Sequence, residues 1–336
     1  MPGGRATSAR DGDAVATDRV ALAYLAALAA LAIARHPEAG PLLVRCAALA
    51  LLIVVAARWR TWSTATRVAH DFLPIATVVC VFEWTGPVIA ATNPRRWDAA
   101  LAAADRALFG ALPEQWFGVL GRPWWLTDAA SIAYVGYYAM PVAIGVALYA
   151  RRRRAEFADF VFAVVTAFLL SYACYFVMPA SGPRVAPADE ARLLGGSVVS
   201  GAVRAFVRAA EGNQLDAFPS GHTLLSLYVL GLGWRLLPRW RGGLVVLTAA
   251  IVFSTVYLSF HYVVDVVAGA ALVPVVAWLV PRLRGWASRP SATVVVGAPA
   301  AARPSDALEA ATPIAQHAIR RSEVSRRYPG ARAPGA

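Results

Sequence analysis

Residues Phe157 to Met178 read FADFVFAVVTAFLLSYACYFVM, and this stretch decides the fold class. It contains one charged residue, Asp159. An α-helix needs about 20 mostly apolar residues to cross the hydrocarbon core of a bilayer. The stretch therefore predicts a membrane-crossing helix.

Seven other apolar runs extend this prediction to most of the chain. Five are of similar length: Phe72 to Ala91, Ala129 to Ala150, Phe218 to Leu237, Leu244 to Phe260 and His261 to Val280. Two are shorter, Val20 to Ala34 and Pro41 to Ala57, and arginines at their ends can lengthen them by snorkelling. With 58% hydrophobic and 15% charged residues, the chain is predicted to be an all-α integral membrane protein with eight crossings.

The runs and the segments between them predict four parts. These are a cytoplasmic N-terminal tail (1–19), two N-terminal membrane helices (20–71), a membrane core (72–284) and a disordered cytoplasmic tail (285–336), which is rich in Ala, Pro, Ser and Arg without apolar periodicity. Two connections are long. The first has helical spacing from Trp97 to Leu112 beside several charges, which predicts a helix lying on the membrane surface. The second includes a helical piece around Val203 to Ala210.

The basic residues of the chain are 32 arginines with no lysine. They follow alternate runs, which is typical of short cytoplasmic loops and not of the single basic face of a nucleic-acid binder. With eight crossings, both termini are expected in the cytoplasm and the second long loop outside. Arginine and alanine richness suggests a bacterial plasma membrane. Three cysteines within apolar runs, without paired spacing, indicate neither a disulfide framework nor a zinc site.

Three short pieces of sequence fall on the same predicted side of the membrane. They are Gly182-Pro183-Arg184, Pro219-Ser220-Gly221-His222 and His261-Tyr262-Val263-Val264-Asp265. In the second piece, Pro219 and Ser220 stand where a helix would begin, so Ser220, Gly221 and the first backbone N–H groups can hold a phosphate. His222 in that first turn can carry a proton near neutral pH.

His261 and Asp265 are four residues apart, which on one helix places them on the same face. The Asp265 carboxylate would then accept the ring N–H, leaving the other nitrogen of His261 as a nucleophile toward phosphorus. His222 would protonate the departing oxygen, and Arg184 would neutralise phosphate oxygens. Asp216 has two open interpretations, a helix-start cap or a group that binds an acceptor.

These residues resemble the signature blocks of the type 2 phosphatidic acid phosphatase superfamily, over roughly Phe157 to Val280. The resemblance implies a six-helix bundle, here preceded by about two extra helices, and metal-free removal or transfer of lipid phosphate groups. It implies that His261 is the nucleophile, that Asp265 is the carboxylate paired with it and that His222 is the acid. Val177 and Thr255 stand where the commoner blocks have basic residues. The third block, with Ser254-Thr255 and the ending His-Tyr-x-x-Asp, looks more like that of the inositol phosphorylceramide synthase and sphingomyelin synthase branch.

The chain is therefore expected to be a membrane enzyme, a lipid-phosphate phosphatase or a phospholipid head-group phosphotransferase that works through a phosphohistidine. No metal or cofactor is expected. Its expected partners are the bilayer, a lipid phosphate or phospholipid and, for transfer, an alcohol such as inositol; nucleic acid is not among them. The alternative is a non-catalytic lipid carrier or scaffold that retains the fold.

Overall fold

The computed structural model describes residues 4–184 and 194–288. Within these residues every regular element is helical. The helices are α1 (Gly4–Arg35), α2 (Ala39–Trp59), α3 (Thr64–Thr92), α4 (Asp98–Phe109), α5 (Pro113–Leu120), α6 (Trp124–Ala150), α7 (Arg154–Tyr175), α8 (Val198–Ala210), α9 (Gly221–Leu236), α10 (Arg241–Tyr257) and α11 (Val263–Ala287).

Seven helical segments in this part of the chain are long and apolar enough to cross a membrane. They are Ala16–Arg35 within α1, α2, α3, α6, α7, Pro238–Tyr257, which adds a 3-10 turn to α10, and α11. The predicted all-helical membrane protein is therefore confirmed.

Helix α9, which corresponds to the predicted run Phe218 to Leu237, is shorter than a typical crossing helix. Its 16 residues rise about 24 Å. It begins late because the Ser220 hydroxyl accepts the N–H of Thr223 at 3.2 Å, which caps the helix and leaves the preceding residues in turns. The helix packs against α6, α7, α10 and α11, and Leu224 and Leu225 are 1% exposed.

Both predicted ends of the membrane region differ from the structure. Helix α1 begins at Gly4, so the predicted N-terminal tail is mostly helical, and the first crossing segment has 20 residues instead of the short run predicted. Helix α11 continues to Ala287, which is buried, so helix passes the predicted boundary at 285. The predicted disordered tail lies almost entirely outside the described residues.

The two long connections contain helices, as predicted, but with other boundaries and surroundings. The first holds α4 and α5, separated at Gly110, which has a left-handed backbone (φ +80°). The prediction of a simple surface helix was wrong, because Asp105 is fully buried whereas Leu108 is 69% exposed. In the second connection α8 begins at Val198, because the Ser197 hydroxyl caps it by accepting the N–H of Val199 at 3.0 Å.

Arginine-rich helix ends meet at one end of the bundle. Arg153, just before α7, donates to the carbonyl of Leu236 at the end of α9 (2.7 Å). Arg284 near the end of α11 pairs with Asp159 near the start of α7. Because α9 finishes at this end, its first turn and His222 lie at the opposite end.

Candidate active site

The first turn of α9 provides one half of the site. Ser220, which is fully buried, caps the helix, and its backbone N–H donates to the carbonyl of Asp265 at 3.0 Å. A side chain at Gly221 would run into the Tyr175 hydroxyl, so glycine allows this close approach. The predicted helix start at Ser220 is where the structure has it, with His222 in its first turn.

His261 lies in the turn before α11, not on the helix as predicted. Helix α10 ends at Tyr257, and the backbone N–H of His261 donates to the carbonyl of Thr255 at 3.1 Å. The turn requires a left-handed Ser259 (φ +59°), and α11 begins only at Val263. His261 and Asp265 therefore approach each other across a helix start instead of along a helix face.

The ring of His261 is held by a backbone carbonyl. Its Nδ1 lies 2.9 Å from the carbonyl oxygen of Ala217, which can only accept a hydrogen bond. The proton is thus placed on Nδ1, and Nε2 keeps its lone pair. Asp265, which was expected to take the ring N–H, has its Oδ2 3.5 Å from Nδ1, further away than the Ala217 carbonyl, and this oxygen also accepts the backbone N–H of Tyr262 at 2.8 Å.

The two histidines face each other inside the protein. Their ring centroids are 5.7 Å apart, and the residues are 6% (His222) and 3% (His261) exposed. The rings of Tyr134 and Tyr137 lie against His222, with centroids at 4.3 and 4.1 Å. This aromatic wall fixes the imidazole of His222, so the two histidine rings border one small volume.

Arg184 is placed beside this volume by Asp216. An Arg184 Nη2 lies 2.6 Å from Asp216 Oδ1, and the Arg184 Nε–H donates to the carbonyl of Ser181 at 2.9 Å. Burial alone would lower the pKa of the Arg184 guanidinium, but the carboxylates of Asp216 and Glu211 outweigh it and raise that pKa. Of the two open interpretations for Asp216, helix capping does not hold, since Ser220 is the cap.

Helix α4 joins the first and third sequence pieces. Asp98 Oδ1 accepts the backbone N–H groups of Ser181 (2.8 Å) and Gly182 (2.9 Å). Asp105 accepts those of Val263 (2.8 Å) and Val264 (2.9 Å) at the start of α11. Both acidic residues belong to the charged side of the helix that was predicted to lie on the membrane surface. Their spacing of seven, on the same stripe as Leu101, was the available signal that they face inward.

Glu211 was also missed. It is 3% exposed, and its Oε1 lies 3.8 Å from His222 Nε2 and 3.1 Å from the Tyr134 hydroxyl, with Tyr138 also donating to it. Burial, reinforced by the Asp216 carboxylate, raises the pKa of Glu211. Glu83 on α3 accepts the N–H of Gly212 at 2.9 Å and holds this part of the loop. Nothing in the local sequence marks Glu211, because its partners lie on other helices.

Two further arginines of the second long connection, Arg192 and Arg204, were also candidates for holding an anion. Arg204 is 7% exposed and donates to the carbonyl of Gly195 at 3.5 Å. Arg192 lies outside the described residues. Within 4–184 and 194–288, no group of three His, Cys, Asp or Glu side chains is arranged to hold a metal ion.

Comparisons with known proteins point to one family. The sequence profile of the PAP2 superfamily matches residues 99–279, which include His222, His261 and Asp265. A PA-phosphatase related-family protein of Dictyostelium discoideum is 22% identical over 233 residues, covering 57% of this chain and 41% of the relative. The chain thus spans less than half the length of this curated relative. No solved structure matches the chain.

Proposed function

The chain belongs to the PAP2 superfamily, and we propose that it is a membrane-embedded, metal-independent lipid-phosphate phosphatase that works through a phosphohistidine on His261. The observation that carries this proposal is the pair of buried histidines whose rings lie 5.7 Å apart. The Ala217 carbonyl keeps a proton on Nδ1 of His261 and leaves Nε2 for attack. Family membership and the seven apolar helices support a phosphate carried by a lipid.

The proposed reaction has two steps. In the first, His261 Nε2 forms a bond to phosphorus while the ester P–O bond breaks, and the departing lipid oxygen takes a proton from His222. In the second, His222 removes a proton from water, whose oxygen displaces His261 and releases inorganic phosphate. The Asp265 carboxylate, 3.5 Å from Nδ1, stabilises the positive charge that develops on the ring. Arg184, beside the pair, stabilises charge on the phosphate oxygens.

Transfer of a head group to an alcohol is a second candidate for the same site. Thr255 and Val177 occupy positions where a simple phosphatase has basic residues, and Arg184 is already paired with Asp216 at 2.6 Å. A less cationic pocket favours an acceptor other than water, as in the phosphorylceramide synthase branch that the sequence resembles. The first step is unchanged, and only the nucleophile of the second step differs.

The site is proposed to face away from the cytoplasm, in a bacterial plasma membrane. The arginine-rich helix ends gather at one end of the bundle, and His222 lies at the other. Positive charge favours the cytoplasmic side of a membrane protein.

The testing experiment uses the detergent-purified protein in EDTA with a panel of lipid phosphates and phospholipids, with and without diacylglycerol, ceramide or inositol. Free phosphate indicates hydrolysis, and a new phospholipid that requires an acceptor indicates transfer. His261→Ala is expected to lower turnover at least about 1000-fold, because no nucleophile remains. His36→Ala, in the turn between α1 and α2, is the matched control and should keep full activity.

The covalent intermediate is tested separately by acid-labile, alkali-stable labelling from a radioactive phosphate ester. The label should form on the wild-type protein and be absent from His261→Ala. Near-normal turnover by His261→Ala would contradict the proposal, and movement of intact lipid between vesicles without chemistry would favour the carrier alternative.

A further inference from the structure

An apolar groove begins at His222, one of the two proposed catalytic histidines, and continues between α3, α6 and α7. It encloses about 210 Å³. One end is formed by polar groups of the site, namely Glu211, Asp216 and His222. Beyond Tyr138 the lining becomes almost entirely apolar. The hydrocarbon chain of an amphiphile whose head lies at His222 would therefore find an apolar lining along one continuous space.

The groove opens sideways on the surface of the helix bundle. Ile75 and Val79 on α3 and Val142 on α6 line it, yet they are 41%, 50% and 37% exposed. Since α3 and α6 are membrane-crossing segments, this opening faces the hydrocarbon region of the bilayer. A lipid chain could enter it from the membrane without passing through water.

The groove has a defined depth. Its wall on α3 runs from Phe82 near the catalytic end to Asp71, eleven residues or about 16 Å along the helix. This is close to half of the roughly 30 Å hydrocarbon core, which is the depth of one leaflet. At the far end Phe72, Tyr149 and Phe157 pack together with ring centroids 4.9 to 5.5 Å apart and limit the space.

We infer that the groove holds one hydrocarbon chain of the substrate, up to about the depth of one leaflet, while the phosphate lies between His222 and His261. The inference rests on the proposed function and adds to it a selection for chain length. The α3 wall lies outside the segment 99–279 that the family profile matches. Each further methylene gains close packing contacts with the groove walls, so kcat/KM should rise with chain length until the groove is full.

The experiment compares monoalkyl phosphates from butyl to octadecyl at a fixed mole fraction in detergent micelles. For the wild-type protein, kcat/KM is expected to rise with chain length and to level off once the chain is longer than the groove. Val142→Trp, which places a large side chain in the groove, should reduce the ratio of kcat/KM for hexadecyl phosphate to kcat/KM for butyl phosphate at least tenfold. Butyl phosphate reports on the catalytic pair alone.

Val146→Trp is the matched control. It changes the same residue type on the same helix one turn further along, at 47% exposure, but outside the groove lining. Its chain-length profile should match that of the wild type. Gly145→Leu is a second variant at the far end, where an added Cβ would meet Phe157 at an ordinary 3.6 Å. It should shift the plateau to shorter chains without affecting the short esters.

The outcomes separate the two proposals. If the wild-type protein turns over all esters with the same kcat/KM, the groove assignment is overturned and the phosphatase proposal stands. Equal chain-length profiles for Val142→Trp and Val146→Trp would have the same consequence. Absence of turnover for every ester by the wild-type protein would remove the proposed function and the groove assignment with it.

Discussion

At the scale of single residues, the surroundings of His222 decide how well it can act as an acid. Its Nε2 lies 3.8 Å from a carboxylate oxygen of Glu211, which in turn accepts hydrogen bonds from Tyr134 and Tyr138. A nearby negative charge favours the protonated imidazole. Because burial and Asp216 raise the pKa of Glu211, that negative charge is established at a higher pH than for an ordinary glutamate. We therefore propose Glu211 as a positioning residue for the acid step.

Glu211→Gln tests this role. The amide can still accept from the tyrosine hydroxyls but carries no charge, so His222 should hold its proton less tightly. The alkaline limb of the kcat profile is then expected to move to lower pH, and kcat near neutral pH to fall on the order of tenfold, with little change in KM. The measurement is the pH dependence of kcat and KM with one lipid phosphate.

Glu156→Gln is a suitable control, because Glu156 pairs with Arg153 at the arginine-rich end. Its pH profile should match that of the wild type. An unshifted alkaline limb in Glu211→Gln would mean that Glu211 only braces the two tyrosines.

The spacing of the motifs predicted which residues form the site but not all of their hydrogen-bond partners. The motifs identified His222, His261 and Asp265 as one group, and the structure brings these residues together. The partner of His261 Nδ1, however, is the carbonyl of Ala217, 44 residues earlier in the chain. Every residue has a backbone carbonyl, so no residue type marks this acceptor. Glu211 was unpredictable for the related reason that its partners, Tyr134, Tyr138 and His222, lie on two other helices, α6 and α9.

At the scale of elements, α4 explains how separate sequence pieces keep their relative positions. Its two aspartates are seven residues apart and therefore face the same direction. Asp98 binds the loop that contains Gly182, where a left-handed backbone (φ +77°) and the nearby Phe260 carbonyl leave no room for a side chain. Asp105 binds the start of α11, next to His261. A carboxylate at a helix N-terminus also interacts favourably with the helix dipole.

Asp105→Ala is expected to destabilise the protein by about 2 kcal/mol or more, because two N–H groups at the start of α11 lose a charged acceptor. The displaced turn should also lower kcat, since His261 precedes α11 directly. Thermal unfolding in detergent measures the first effect and phosphate release the second. Arg106→Ala, at the exposed neighbouring position, should leave both unchanged. Equal stabilities of the two variants would show that α4 does not hold α11.

Elements differ in how far they could be predicted, for physical reasons. Long apolar runs predict crossing helices well because the bilayer demands length and apolarity together, and all eight runs are helical. Helix ends were predicted less well. The break between Tyr257 and Val263 falls at the predicted junction of two runs but is wider than predicted, and its turn places His261 against the Ala217 carbonyl. For α4, the spacing of Asp98 and Asp105 indicates an inward face but not the backbone N–H groups that these carboxylates bind.

At the scale of the whole molecule, the bundle has two chemically different ends. One carries arginines that cap helix ends, such as Arg153 on the carbonyl of Leu236. The other carries the histidine pair with α4, α5 and α8 around it. With the arginine-capped end in the cytoplasm, as proposed above, the histidine pair would lie at the outer leaflet. The groove beside α3 would then receive its lipid from that same leaflet.

Cysteine labelling tests this orientation directly. Val119 on α5, 90% exposed, marks the end with the histidines, and Trp62, 73% exposed in the turn between α2 and α3, marks the arginine-rich end. With the three native cysteines replaced by alanine, a membrane-impermeant maleimide applied to intact bacterial cells should label Val119→Cys and not Trp62→Cys. Permeabilised cells should label both, which controls for the reactivity of each position. The reverse pattern in intact cells would place the catalytic pair in the cytoplasm, and an inner-leaflet lipid would then become the substrate to test.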